Sequence, residues 1–114
     1  LPDREILTER LQAFADLGLL VEITELDISI NLFGDGPNRL SEQAEAYRDV
    51  YAACTAVSTC IGVTTWNSND GQTWLDADAN FGGQAPHKPT LFDDGFSPKP
   101  AYYAVRDQVA SSIR

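Results

Sequence analysis

The chain has 114 residues, at most one domain's worth, and 43% of them are hydrophobic, enough to support a core. Its formal net charge of −9 argues against a nucleic-acid phosphate binder, which needs a basic face, and against an anionic membrane surface; a neutral or cationic partner fits better. No apolar run approaches the length of a membrane span, the residues from Leu1 onward do not read as a signal peptide, and the absence of Met reads as a processed product or a piece of something longer.

Pro2-Asp3 opens a predicted helix that runs through about Leu17. Proline suits a first turn, and Asp3 and Glu5 favour its positive end. Leu7, Leu11 and Phe14 fall on one helical face, and Gly18 stops the helix. Leu19 to Ile30 contains a predicted strand, with Val21, Ile23, Glu25 and Asp27 on one side. Asn31 to Asn38 is a loop by composition. Ser41 is the predicted N-cap of a second helix, whose apolar face is Tyr47, Val50, Tyr51, Cys54 and Val57. Cys60 to Trp66 reads as a second strand. Asn67 to Ser97 has little periodicity, and a loop of about thirty residues in a compact domain is usually functional. Pro98 to about Ile113 is a third helix carrying Tyr102, Val105, Val109 and Ile113.

Helix, strand, helix, strand, helix is the pattern of a parallel α/β sheet. Both strands read as buried on both faces. Two strands alone leave unpaired edges, so the pattern implies further strands supplied by the rest of a larger chain. No repeat or low-complexity linker interrupts it.

Cys54 and Cys60 are the two cysteines. They read either as two buried thiols or as a short disulfide of a secreted protein, and the disulfide is preferred. A zinc site is disfavoured because the lone His87 is distant and no further Cys completes four ligands.

Glu25 and Asp27 stand two apart at the carboxyl end of the first strand, inside an apolar, β-branched run. On a regular strand they share a face. A buried carboxylate is costly unless paired, so two together point to a site. Active groups of α/β sheets and barrels gather at the carboxyl ends of strands. Trp66 ends the second strand, and Trp74 follows in the long loop with Asn67, Asn69 and Asp70 between. Indole faces stack on pyranose rings, amides read hydroxyls, and carboxylates can cleave glycosides. The plainer readings are a turn-capping Asp27, a salt-bridged Glu25 and core tryptophans. By the same reasoning His87 is a solvated loop residue and Tyr102-Tyr103 is packing. Asp76, Asp78, Asp93 and Asp94 lack calcium-loop spacing and read as solvated.

Ile23-Thr24-Glu25-Leu26-Asp27 resembles the nucleophile strand of the family-10 glycoside hydrolases, the retaining endo-β-1,4-xylanases. Cys54 through Trp66 is similar to the helix end and strand that follow it in secreted members. Thr90-Leu91-Phe92-Asp93-Asp94-Gly95-Phe96-Ser97-Pro98-Lys99-Pro100-Ala101-Tyr102 resembles the family's closing signature, and Phe14-Ala15-Asp16-Leu17-Gly18-Leu19 also fits. The four motifs occur in order along the whole chain.

The resemblance implies an α/β fold: the carboxyl-terminal portion, about the last two βα units, of a (β/α)8 TIM barrel. Residues 1–114 would then be one partial barrel domain: the preceding helix, strand 7, helix 7, strand 8, a long loop and helix 8. It implies Glu25 as the catalytic nucleophile and Asp27 as the group that orients a histidine on the preceding strand, which fixes Glu25. Trp66 and Trp74 would bind the sugar, and Cys54–Cys60 would be a disulfide. No metal or organic cofactor is required. The implied partners are xylan or xylo-oligosaccharide and the missing amino-terminal part of the barrel, with no nucleic acid and no membrane, in a secreted, extracellular protein. The family's acid/base, a second Glu following an Asn, is not among these residues, so the chain alone is expected to be inactive. Where the family commonly has Gly after Trp66, this chain has Asn67, and Asn67–Thr73 differs from the usual charged run. The alternatives are a non-catalytic carbohydrate-binding module using Trp66 and Trp74, a related barrel β-glycanase such as a cellulase, and a truncated product without activity of its own.

Overall fold

The computed structural model describes residues 1–77 and 85–113. Its elements are helix α1 (Arg4–Ala15), strand β1 (Val21–Leu26), helix α2 (Arg39–Thr55), strand β2 (Cys60–Thr65) and helix α3 (Pro100–Ser112). The element order is the one expected, and β1 and β2 pair in parallel. Short 3-10 turns occupy Ile30–Phe33, Asp70–Gln72 and Trp74–Asp76, so the long connection after β2 is less irregular than its composition indicates.

Local chemistry accounts for the helix starts. The Asp3 carboxylate caps α1 by accepting the Glu5 N–H at 2.7 Å. Pro100 sits in the first turn of α3, where its missing N–H costs nothing. In α2 the expected cap is corrected: Asn38 holds the N-cap position, and the Ser41 hydroxyl donates back to the Asn38 carbonyl at 2.8 Å. Ser41 lies within the first turn and is too late to cap it.

α2 packs against both α1 and α3 and supplies more of the buried core than any other element described. Tyr47 and Val50 bury with Ile28 and Ala101, and Ala53 and Val57 bury with Leu11. The predicted stripes on the other two helices are only partly used. Packing reaches Leu7 and Leu11 on α1, and Ala101, Ala104 and Val105 on α3. Phe14, Val109 and Ile113 are exposed.

The strands are not buried on both faces. Val21, Ile23 and Val63 pack toward the helices, whereas Glu22, Thr24, Ile61 and Thr64 are exposed. Among the described residues, helices cover only one face of the sheet. Cys54 and Cys60 form a disulfide with a Cα–Cα separation of 5.3 Å. It ties the end of α2 to the start of β2, and in the chain-entropy view it contributes about 2 to 2.5 kcal/mol. No helix among the described residues is long and apolar enough to cross a membrane.

Candidate active site

Between Ile23 and Leu26 on β1 there are two residues where β2 has one between Val63 and Thr65. The extra residue makes a bulge, and within it Glu25 adopts φ 58°, the left-handed region. Such a conformation costs a non-glycine residue on the order of 1–3 kcal/mol and persists only where the surroundings enforce it. The bulge corrects the expected strand face. Regular alternation would send Glu25 to the helix side with Val21 and Ile23. Instead Leu26 packs into the core, and Glu25 is exposed.

Glu25 opens onto a cavity of about 590 Å³. Asp27 and the indoles of Trp66 and Trp74 line the same cavity, with Ser29, Leu32, Leu75 and His87 completing the wall. The two carboxylates and two indoles singled out from sequence are thus brought together. Trp66 is held beside β1 by its N–H, which donates to the Leu26 carbonyl at 3.1 Å. Asn67, which follows it, has φ 77°. Asparagine is among the few non-glycine side chains that tolerate this region, so Asn67 can hold a turn that the expected Gly would also accept.

The Trp74 indole Nε1–H donates to Asp27 Oδ2 at 3.0 Å. The other oxygen, Oδ1, is buried and has no hydrogen-bond partner among the described residues. Burial raises the Asp27 pKa above the usual carboxylate range, and the Trp74 hydrogen bond opposes the rise. The folded state therefore binds the Asp27 proton at pH values where the unfolded chain has lost it, so stability increases as pH falls through that window. In Asp27→Asn this contribution is absent. Urea midpoints measured against pH should separate the two proteins most above the window, the variant being favoured there, and bring them together as pH falls to the ordinary Asp range. A gap that stayed constant with pH would contradict the assignment.

His87 is not a solvated loop residue; it is only 2% exposed. Its backbone N–H donates to Asp76 Oδ1 at 2.9 Å, and its Nδ1 lies 2.8 Å from Ser29 Oγ and 3.4 Å from Asn31 Nδ2. An amide nitrogen only donates, and Ser29 Oγ already accepts from the Asn31 N–H, so Nδ1 is the acceptor. In the neutral ring the proton then sits on Nε2, which is buried without a partner among the described residues. A lone histidine between prolines carries no local signal for this burial.

Asn69 and Asp70, expected to read hydroxyls, are buried structural groups. Asn69 Oδ1 accepts the Gly71 N–H at 2.9 Å. Asp70 Oδ1 accepts the Thr90 N–H and hydroxyl, and Asp70 Oδ2 pairs with Lys99 Nζ at 2.9 Å. Lys99 Nζ also donates to the carbonyls of Lys88 and Thr90, each at 2.7 Å. Burial lowers the Lys99 pKa, while the hydrogen bond and charge of Asp70 pull it back up. Gln43 donates to the Ile28 and Lys88 carbonyls, and Tyr47 to the Pro89 carbonyl. Together these groups clamp residues 87–90 behind the cavity. Tyr102 packs on Phe92 with ring centroids 5.2 Å apart. Asp93 Oδ1 accepts two loop N–H groups, while Asp78 lies outside the described residues. Among the described residues no three potential metal ligands cluster.

The family model of glycosyl hydrolase family 10 matches residues 2–108. The chain belongs to glycosyl hydrolase family 10. It is 41% identical to an endo-1,4-beta-xylanase of Agaricus bisporus over 101 residues, which cover 89% of this chain and 29% of that protein. It is 36% identical to endo-1,4-beta-xylanase 5 of Pyricularia oryzae over 111 residues, 97% of this chain and 26% of that one. Among solved structures, xylanase 10B from Thermotoga petrophila in complex with xylobiose superposes with a TM-score of 0.85 at 28% identity, covering 99% of this chain and 33% of that one. A mutant of xylanase 10C from Cellvibrio japonicus in complex with xylopentaose gives a TM-score of 0.84 at 28% identity, over 96% and 25% of the two chains. The family-10 chain thus spans about a quarter to a third of the length of these relatives. Its α/β architecture is that of part of a (β/α)8 barrel.

Proposed function

We propose that this chain is the nucleophile-bearing portion, strands 7 and 8 with their helices, of a secreted retaining endo-1,4-β-xylanase. The observation that carries the reading is the placement of Glu25. A bulge turns its carboxylate away from the core and into one cavity with Trp66, Trp74 and Asp27. The names of the relatives, endo-1,4-beta-xylanases, supply the substrate class. Glu25 attacks the anomeric carbon and forms a glycosyl-enzyme ester, which water then hydrolyses. A second carboxyl group with a raised pKa, supplied by the remainder of the barrel about 5 to 5.5 Å from the Glu25 carboxyl, protonates the leaving oxygen. Asp27 cannot take that part: it stands on the same chain segment as Glu25 and is held by Trp74. Its Oδ1, which has no partner among the described residues, orients a histidine from the preceding strand. The indoles offer flat apolar surfaces to pyranose rings. The disulfide fits an oxidising, extracellular compartment.

The test compares the 114-residue chain with a complete barrel containing it. The complete barrel should release reducing ends from xylan and far fewer from cellulose, and the isolated chain should release none. Xylan hydrolysis by the pure isolated chain, or a preference for cellulose in the barrel, would count against the proposal.

A further inference from the structure

We propose that Leu32 is a further binding contact for the sugar chain and that His87 positions it; the inference rests on the glycanase reading above. Leu32 is 58% exposed, yet it forms part of the cavity wall with Trp66 and Trp74. An apolar side chain in this wall, beside two carboxylates, gains when a C–H surface covers it. The neutral face of a β-linked pyranose offers such a surface.

The position of Leu32 is enforced. It sits in the 3-10 turn Ile30–Phe33, whose other side is anchored by the buried Ile30. Ser29 Oγ caps the turn by accepting the Asn31 N–H at 3.1 Å, and the Leu32 N–H donates to the Ser29 carbonyl at 3.2 Å. His87 fastens this turn twice. Its carbonyl accepts the Ile30 N–H at 2.9 Å, and its Nδ1 accepts from Ser29 Oγ and Asn31 Nδ2. His87 is in turn tied by its own N–H to Asp76, the last residue of the 3-10 turn that begins at Trp74. The apolar leucine and the indole therefore share one hydrogen-bonded frame.

The experiment is steady-state kinetics of the complete barrel on linear, unsubstituted xylopentaose. Leu32→Ala should raise KM about three- to tenfold and leave kcat within about twofold, the signature of lost ground-state binding. His87→Ala should raise KM in the same direction, and the double variant should be no worse than Leu32→Ala alone, because the histidine acts through the leucine. Ser29→Ala, which removes the hydroxyl bond but keeps His87 buried, repeats the test should His87→Ala fail to fold. An unchanged KM in Leu32→Ala, in a parent that cleaves xylan, overturns this inference alone. Additive effects in the double variant overturn the positioning role of His87. A parent inert on xylan overturns the functional reading, and this inference with it.

Discussion

Glu25→Gln in a complete barrel should lower kcat on xylan on the order of 10⁴-fold or more, while xylo-oligosaccharide binding measured by calorimetry stays within a fewfold of the parent. The substitution keeps the size and shape of the side chain and removes the nucleophilic oxygen. A loss of 10⁴ corresponds to about 5 kcal/mol of transition-state stabilisation. Nothing in the packing predicts a large stability change, because the Glu25 side chain is exposed. A variant that retained most of its turnover would remove Glu25 from the chemistry and leave a binding role for the cavity. A non-catalytic carbohydrate-binding module would show that outcome.

Lys99→Met should destabilise the protein by about 3–5 kcal/mol in urea unfolding, the usual cost of stranding one partner of a buried ion pair. The ammonium is surrounded by the Asp70 carboxylate and the carbonyls of Lys88 and Thr90. Methionine fills similar volume and satisfies none of them. Adding Asp70→Asn to Lys99→Met should recover part of the loss, because the charge left behind is then removed. If Lys99→Met unfolded at the parent's midpoint, the pair would be a passive contact and the clamp on residues 87–90 would lie elsewhere. Gln43 and Tyr47, which hold carbonyls of the same segment, are the next groups to substitute.

Several residues were legible in part and misplaced in part. Two carboxylates in an apolar run stood out because that pattern is costly without a use. Their shared cavity was expected from strand alternation, but the route is different. The bulge shifts the side-chain phase after Ile23, so Leu26 goes into the core and Glu25 out of it. A single extra residue against β2 cannot be seen from β1 alone. Asn67 is the converse case. Glycine is the residue expected there from the resemblance, and the left-handed backbone of Asn67 is one that glycine and asparagine both accept. Asn69, Asp70 and His87 were misread together for one reason. Polar residues in an aperiodic loop look available to solvent or ligand until their partners are known; all three are buried, and the partners of Asp70 and His87 are remote in sequence.

From the amino acids alone came the alternation of helices and strands, the acidic start of α1, the buried face of α2 and the preference for a disulfide between Cys54 and Cys60. Each depends on periodicity, propensity or proximity within a few residues, so a linear reading has access to it. Only the tertiary structure decided the direction of the Glu25 carboxylate, the burial of Lys99 against Asp70 and the contact of Ser29 with His87 across 58 positions. Those features are set by which distant groups meet in a low-dielectric interior. There a charge or a hydrogen-bonding atom must find a partner, and chain order does not name it.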